Sequence, residues 1–304
     1  MLGAMLVIAA NLLALVSIAY AFRGAKELAK LAAVALLGAA LFYFEAMPIL
    51  ALIPGILIFC ALVWAFGKRG WLLLALLAIS YVIAFGSLGP AAVSLAMSLG
   101  VFSGALSMRG AKKRGSDSVE IRRDLFQIAS GIAMTALFVA IGIFYAEWAT
   151  IAIIIIGYML VNYSINGGGS ALRKYINSLE REGVQLGRGA VWLSAGMLLA
   201  FGFLANFNYV MLAIFAIFFA DPIATIFGVI SKRKVRLPYN KNKTVNGMVA
   251  FFITLSILGY LVVGNYAIVV SLVCALVESA PIRIDDNFSV PVALIIMIKI
   301  LALY

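Results

Sequence analysis

The sequence predicts an all-α fold, a polytopic transmembrane helical bundle of about twelve spans. Three observations carry that prediction. Of 304 residues, 65% are apolar and 12% are charged. A soluble domain holds roughly 45–50% apolar and about 25% charged residues, so this chain has too little polar surface to face water on all sides. Apolar runs near the length of a bilayer crossing recur along the whole chain. The basic residues collect in alternate connections between those runs, as the positive-inside rule requires of a multi-pass protein.

In order, the runs are 1–22, 31–45, 48–66, 71–86, 88–107, 125–145, 148–164, 190–204, 207–228, 246–263, 265–282 and 288–304. A crossing needs about 20 apolar residues, so 31–66 and 71–107 each also fit a single hairpin or a re-entrant segment. The first run lacks a charged leading region and is followed by Arg23, so it is expected to be a retained helix rather than a cleaved signal. Arg23, Lys26 and Lys30 follow the first run, and Lys68 and Arg69 the third. Arg109, Lys112, Lys113, Arg114, Arg122 and Arg123 follow the fifth, and Arg173, Lys174, Arg181 and Arg188 the seventh. Lys232, Arg233, Lys234, Arg236, Lys241 and Lys243 follow the ninth, and Arg283 the eleventh. The intervening turns hold Glu45 and Glu147 but no Lys or Arg. All basic residues except Lys299 therefore fall on one side, which is predicted to be cytoplasmic, with both termini outside. Lys299 is expected to snorkel outward from the last run.

Composition also removes whole classes of chemistry. There is no histidine, which excludes His-based triads, His general bases and His metal ligands. The two cysteines, Cys60 and Cys274, lie in apolar runs without a CxxC pair and read as small hydrophobes. A net charge of +11 on a soluble protein would suggest nucleic acid; here it is distributed as membrane topology, and no nucleic-acid partner is expected.

The loop 108–123 divides the chain. Residues 1–107 carry almost no polar groups within their spans, whereas in 108–304 polar residues gather at the cytoplasmic ends of helices. Residues 1–107 are read as N-terminal transmembrane helices and 108–304 as the working region. Charge inside a membrane helix costs at least about 2.5–3.5 kcal/mol at its centre, so each instance is a functional hint. Asp221 sits about seven residues before the cytoplasmic end of its apolar run, and Glu278 at a similar depth in another. Asp221, Thr225 and Gly228 share one helix face by their spacing. Pro222 removes a backbone donor there.

The connection after Asp221 is SKRKVRLPYNKNKTVNG, densely basic and ending in Lys243-Thr244 at the start of the next run. A helix start presents unpaired N–H groups and the positive end of the helix dipole, which suits phosphate, but an ordinary positive-inside loop has the same composition. The turn Arg283-Ile-Asp285-Asp286-Asn287 offers clustered oxygen ligands of the kind magnesium prefers, or alternatively a helix cap. Asn166-Gly-Gly-Gly-Ser170 lacks P-loop spacing and reads as a flexible linker before ALRKYINSLEREG, a candidate interfacial helix. Together these groups suggest an anionic, metal-bound substrate, such as a nucleotide, with a lipid as its partner.

At this point a resemblance becomes visible. Asp221-Pro-Ile-Ala-Thr-Ile-Phe-Gly228, a basic stretch, Leu237-Pro238 and Lys243-Thr244-Val-Asn-Gly247 resemble the CTP-binding signature of dolichol kinases. The pattern is also similar to phytol kinases and CTP-dependent diacylglycerol kinases. Glu278-Ser-Ala-Pro-Ile-Arg-Ile-Asp285-Asp286-Asn287-Phe-Ser-Val-Pro291 is similar to that family's Glu…Asp-Asp-Asn-x-x-Val-Pro element. Glu120-Ile-Arg122-Arg123-Asp-Leu-Phe-Gln127 resembles its Glu-x-Arg-Lys-x-x-x-His element. The matches are in order across 118–291. Asn242 stands where a lysine is usual, Asn246 where a Glu is usual, and Gln127 where a His is usual.

The resemblance implies CTP-dependent phosphorylation of a polyprenol-type or other lipid alcohol at the cytoplasmic membrane face. It implies Mg²⁺-CTP on Asp221, Asp285, Asp286 and Asn287, and phosphate contacts from Lys243, Thr244, Arg122, Arg123 and Arg233. Gly228 and Gly247 would allow close approach, and Asp221, Glu278 or Asp286 would act as base. Lipid cytidylyltransferases share a related stretch, but their His-containing terminal signature is impossible in a chain without histidine. A transporter of an anionic lipid and an assembly subunit without an active site are the readings from other classes.

Overall fold

The structure is a computed structural model that describes residues 98, 117–165, 169–179, 188–231, 234–282 and 284–301. Apart from Ser98, the runs expected within 1–107 lie outside the described residues, as do Arg233 and Arg283. Among the described residues every regular element is a helix, as expected. These are α1 (Asp117–Ile165), α2 (Ser170–Leu179), α3 (Arg188–Phe203), α4 (Phe207–Phe215), a π-helical turn (Ala216–Ala220), α5 (Asp221–Ile230), α6 (Val245–Val263), α7 (Tyr266–Ser279) and α8 (Asp286–Ile300). Three stretches among them are long and apolar enough to cross a membrane: Asp117–Ile154, Phe207–Ile230 and Val245–Val263. Gly189–Phe203 and Tyr266–Ser279 are shorter apolar helices.

The boundaries follow local chemistry. Two runs were expected over 125–145 and 148–164. Both fall in α1, which is broken at Gly142 (φ 76°, ψ 167°), a conformation closed to residues with a Cβ. The run expected over 265–282 ends at Ser279. Ala280 turns to extended backbone (φ −69°, ψ 147°), the conformation a residue preceding proline favours, and Pro281 follows. The run over 207–228 is not a continuous α-helix, because the π turn interrupts it just before Asp221. The interfacial segment forms α2, with Arg173, Lys174 and Tyr175 exposed and Leu172, Ile176 and Leu179 half-buried.

The chain divides into two compact units. One comprises 1–110, 147–177 and 185–202; within it Ser98 donates to the Ala195 carbonyl at 2.6 Å. The other comprises 111–146, 178–184 and 203–304, and holds every described site residue considered below. Its axis is Phe207–Ile230. Residues Val210 to Phe218 on it are buried, and α6 and α8 pack along it while α7 packs between those two. Large apolar side chains such as Val139, Ile253, Ile257, Leu261, Leu272 and Leu276 point outward from α1, α6 and α7. That arrangement, a close-packed inside and an apolar outside, is the one lipid permits, where packing rather than water exclusion holds helices together. Cys274 is buried in α7, and Lys299 lies over the Phe203 ring at 5.9 Å from its centroid.

Candidate functional site

The central helix positions Asp221. The Asp221 N–H reaches back five residues to the Ala216 carbonyl, in π rather than α register. Pro222 has no N–H to offer in either register. The Ile217 carbonyl is left by both, and the Gln127 side chain of α1 donates to it at 2.7 Å. Gly131, one turn further along α1, lets the two helices close. A Cβ there would stand 2.5 Å from the Phe218 Cβ and 2.9 Å from the Phe219 ring. Single-turn π segments concentrate at functional positions because they rotate a side chain out of the α register.

Residues 234–244, expected to be a basic loop, form a folded hairpin-like turn. Leu237 N–H donates to Lys243 O at 3.1 Å and Val245 N–H to Val235 O at 2.9 Å. Leu237 is buried beneath it. The Tyr239 hydroxyl is 2.8 Å from Ser279 Oγ, and Asn240 Nδ2 donates to Ser279 O at 2.9 Å, which fastens the turn to the end of α7. Asn246 Nδ2 donates to Ser231 Oγ at 2.7 Å and ties the start of α6 to the end of α5. Thr244 is the N-cap of α6, its hydroxyl accepting from Gly247 N–H at 3.1 Å. Gly228 and Gly247 face this junction. A Cβ at Gly228 would be 3.0 Å from Thr244 Oγ1, and one at Gly247 2.8 Å from Ala224 O.

This scaffold aims Lys243 at two acids. Its ammonium donates to Glu278 Oε1 and, at 2.7 Å, to Asp286 Oδ2. Burial opposes its charge, but the Asp286, Glu278 and Asp221 carboxylates outweigh that and hold Lys243 well above the usual lysine value. Oxygens of Asp221, Glu278 and Asp286 all lie within 4.8 Å of one another. Glu278 and Asp221 are buried, with side chain and residue exposures of 3% and 7%, while Asp286 keeps 19%. One lysine among three carboxylates leaves an excess of negative charge facing a common space.

Asp285 does a different job. It is the N-cap of α8, accepting from Asn287 N–H at 3.3 Å and from Asn287 Nδ2 at 3.0 Å. The Asn287 side-chain Oδ1 accepts from Gln127 Nε2 at 3.3 Å, and Asp221 Oδ2 lies 3.5 Å from the same nitrogen. The expected ligand set of Asp221, Asp285, Asp286 and Asn287 is thus arranged with Glu278 inside the oxygen cluster and Asp285 serving its own helix. Arg123 is bound on α1, at 3.1 Å from Asp124 and 3.4 Å from Glu120. Arg122 is exposed.

Sequence reading missed Glu120 and Asp124 as buried partners of Arg123, and it gave Gln127 no role beyond standing at the entry of the sixth run, where a family pattern has His. A signal for all three existed. Glu120, Asp124 and Gln127 recur at four and three residues, which puts them on one buried helix face.

No protein-family model matches the chain, and no solved structure matches it. It is 37% identical over 107 residues to an uncharacterized protein of Methanocaldococcus jannaschii. That match covers 34% of this chain and 54% of the archaeal protein, so the chain spans about half the length of the curated relative it matches.

Proposed function

We propose that this chain is a polytopic membrane enzyme of about twelve spans that transfers the γ-phosphoryl group of CTP to the hydroxyl of a polyprenol-type or other lipid alcohol at the cytoplasmic face, as dolichol kinases do. The observation that carries this reading is the convergence of Asp221, Lys243, Glu278 and Asp286 from two separate segments of the chain. Each segment is one whose sequence resembles that family. The convergence lies where an apolar helix meets a folded basic turn, so a lipid and a nucleotide have adjoining approaches.

Hard oxygen donors suit magnesium, and the surplus negative charge of the three carboxylates beside one ammonium fits a divalent ion. Asp221, Glu278 and Asp286 are the residues that would hold it. Magnesium, when bound, supplies charge neutralisation to the phosphates. The protein's own part is positioning and electrostatics, which dominate phosphoryl transfer. Lys243 brings a positive charge whose direction is fixed by Glu278 and by the turn behind it. Asn287 and Gln127 fix the edge of the cluster. The carboxylates provide the acceptor for the alcohol's proton. In the reaction the bond from the γ-phosphorus to the bridging oxygen breaks, a bond to the lipid oxygen forms, and CDP leaves.

The test uses purified protein with Mg²⁺ and a panel of lipid alcohols, run in parallel with γ-labelled CTP, α-labelled CTP and γ-labelled ATP. Label passing from γ-CTP to the lipid fraction with release of CDP supports the proposal and identifies the alcohol. Label passing only from α-CTP with release of pyrophosphate makes the protein a cytidylyltransferase and overturns it. Absence of transfer from all three donors also overturns it.

A further inference from the structure

We infer that Gln127 is a positioning residue of the carboxylate cluster: its side-chain amide couples the carbonyl released by the π turn to the orientation of Asp221 and Asn287. The inference rests on the cation site of the proposed function. It assigns a role to a residue that neither holds the ion nor touches the phosphates.

The geometry supplies the reasons. An amide nitrogen carries two hydrogens. One is committed to Ile217 O at 2.7 Å, an acceptor that exists because the Asp221 N–H bonds to Ala216 and Pro222 has none. The other faces two oxygens at once, Asn287 Oδ1 at 3.3 Å and Asp221 Oδ2 at 3.5 Å. Both distances lie beyond the usual N–H···O range of about 2.7–3.2 Å, so each contact is weak and the amide faces the two oxygens without binding either tightly. Asn287 is held from both ends, since its Nδ2 donates to Asp285 Oδ1 at 3.0 Å. Gln127 is itself buried, and Gly131 presses its helix against the π turn, so the amide has little freedom to turn away.

Charge explains the residue type. A lysine at this position would repel a bound cation, and a carboxylate would accept rather than donate. A neutral double donor satisfies the released carbonyl and orients the acid together. Partners that orient a ligating carboxylate in this way typically change metal affinity about 10–100-fold when removed.

The test separates this role from mere structural support. Mn²⁺ alone, without nucleotide, is titrated into detergent-purified full-length protein and followed by the electron paramagnetic resonance signal of free Mn²⁺, with thermal unfolding measured on the same samples. Gln127→Leu is expected to weaken Mn²⁺ binding about tenfold and to lower the unfolding temperature. Gln127→Leu combined with Pro222→Ala returns the N–H of residue 222, which Ile217 O can accept in π register. The double variant is expected to recover thermal stability while Mn²⁺ binding stays weak. Recovery of both in the double variant, or unchanged Mn²⁺ affinity in Gln127→Leu, overturns the inference and leaves the proposed function standing. Failure of the unsubstituted protein to bind Mn²⁺ overturns the inference and the cation site together.

Discussion

Two helix starts meet at the carboxylate cluster, and they divide the same labour in opposite order. At α6 the residue before the cap, Lys243, reaches into the cluster, while Thr244 caps the helix through Gly247 N–H. At α8 the cap comes first, Asp285 serving Asn287 N–H, and the next residue, Asp286, reaches Lys243. In each pair one side chain is spent on the orphan N–H groups of its own helix and its neighbour is released to the site. Adjacent polar residues at a helix start are therefore not interchangeable. Register decides which one does chemistry and which one does capping.

The strongest way to break this division is at Lys243. Lys243→Ala is expected to lower turnover about 10³-fold, the scale of losing a fixed cation at a transferring phosphate. It also takes the ammonium away from the buried Glu278, a cost of about 2 kcal/mol after allowing for the partial exposure of Lys243. Adding Glu278→Gln removes the charge of that carboxylate. The double variant is expected to regain the unfolding temperature but not turnover, which label transfer and thermal unfolding measured together will check. Equal recovery of both would make the lysine a structural ion pair only.

Gly247→Ala sharpens the comparison from the α6 side. The added Cβ would stand 2.8 Å from the Ala224 carbonyl, a backbone atom that cannot swing aside. Overpacking of this kind costs about 1–3 kcal/mol, and the unfolding temperature is expected to fall accordingly. The caps come next. Thr244→Ala and Asp285→Ala should each cost about 1 kcal/mol of stability, read by thermal unfolding, and should reduce turnover far less than Lys243→Ala does. If Asp285→Ala matched the loss at Lys243, the cap would be a ligand after all. The smallest effect belongs to the Lys234–Asp117 pair at 3.9 Å, where both side chains are exposed. Asp117→Asn is expected to leave the unfolding temperature within the shift corresponding to about 0.5 kcal/mol.

Much of this arrangement was legible because membranes punish unpartnered polarity. Asp221 and Glu278 stand inside apolar runs, where a charge is a functional hint, while Lys243 and Asp286 were marked by the basic stretch and the Asp-Asp-Asn turn that follow those runs. The helices at 190–204, 246–263 and 288–304 were legible from apolar length alone, and the structure begins or ends them within two residues of those limits, except that the last stops at Ile300 with Leu301 as its C-cap. The π turn was not legible. FNYVMLAIFAIFFADP is apolar on all sides, so no periodicity marks a change of register. Gln127 was hidden for the complementary reason. Its role depends on a carbonyl ninety residues away whose release requires both the π turn and Pro222. Asp285 and Asp286 are chemically identical, and only the backbone (φ −65°, ψ 142° at Asp285) tells cap from site residue. The break in α1 was expected beside Glu147, the polar residue between two runs, but it occurs at Gly142, where positive φ is tolerated.

The most direct test of the account is label transfer from γ-labelled CTP to lipid alcohol by Asp221→Asn, beside unsubstituted protein of matched unfolding temperature. Asn has the shape of Asp and still fits beneath Gln127, so the account predicts a folded protein whose transfer falls at least about 10³-fold. Transfer at the unsubstituted rate would contradict it, because the charge that the π turn and Gln127 hold in place would then have no part in the reaction.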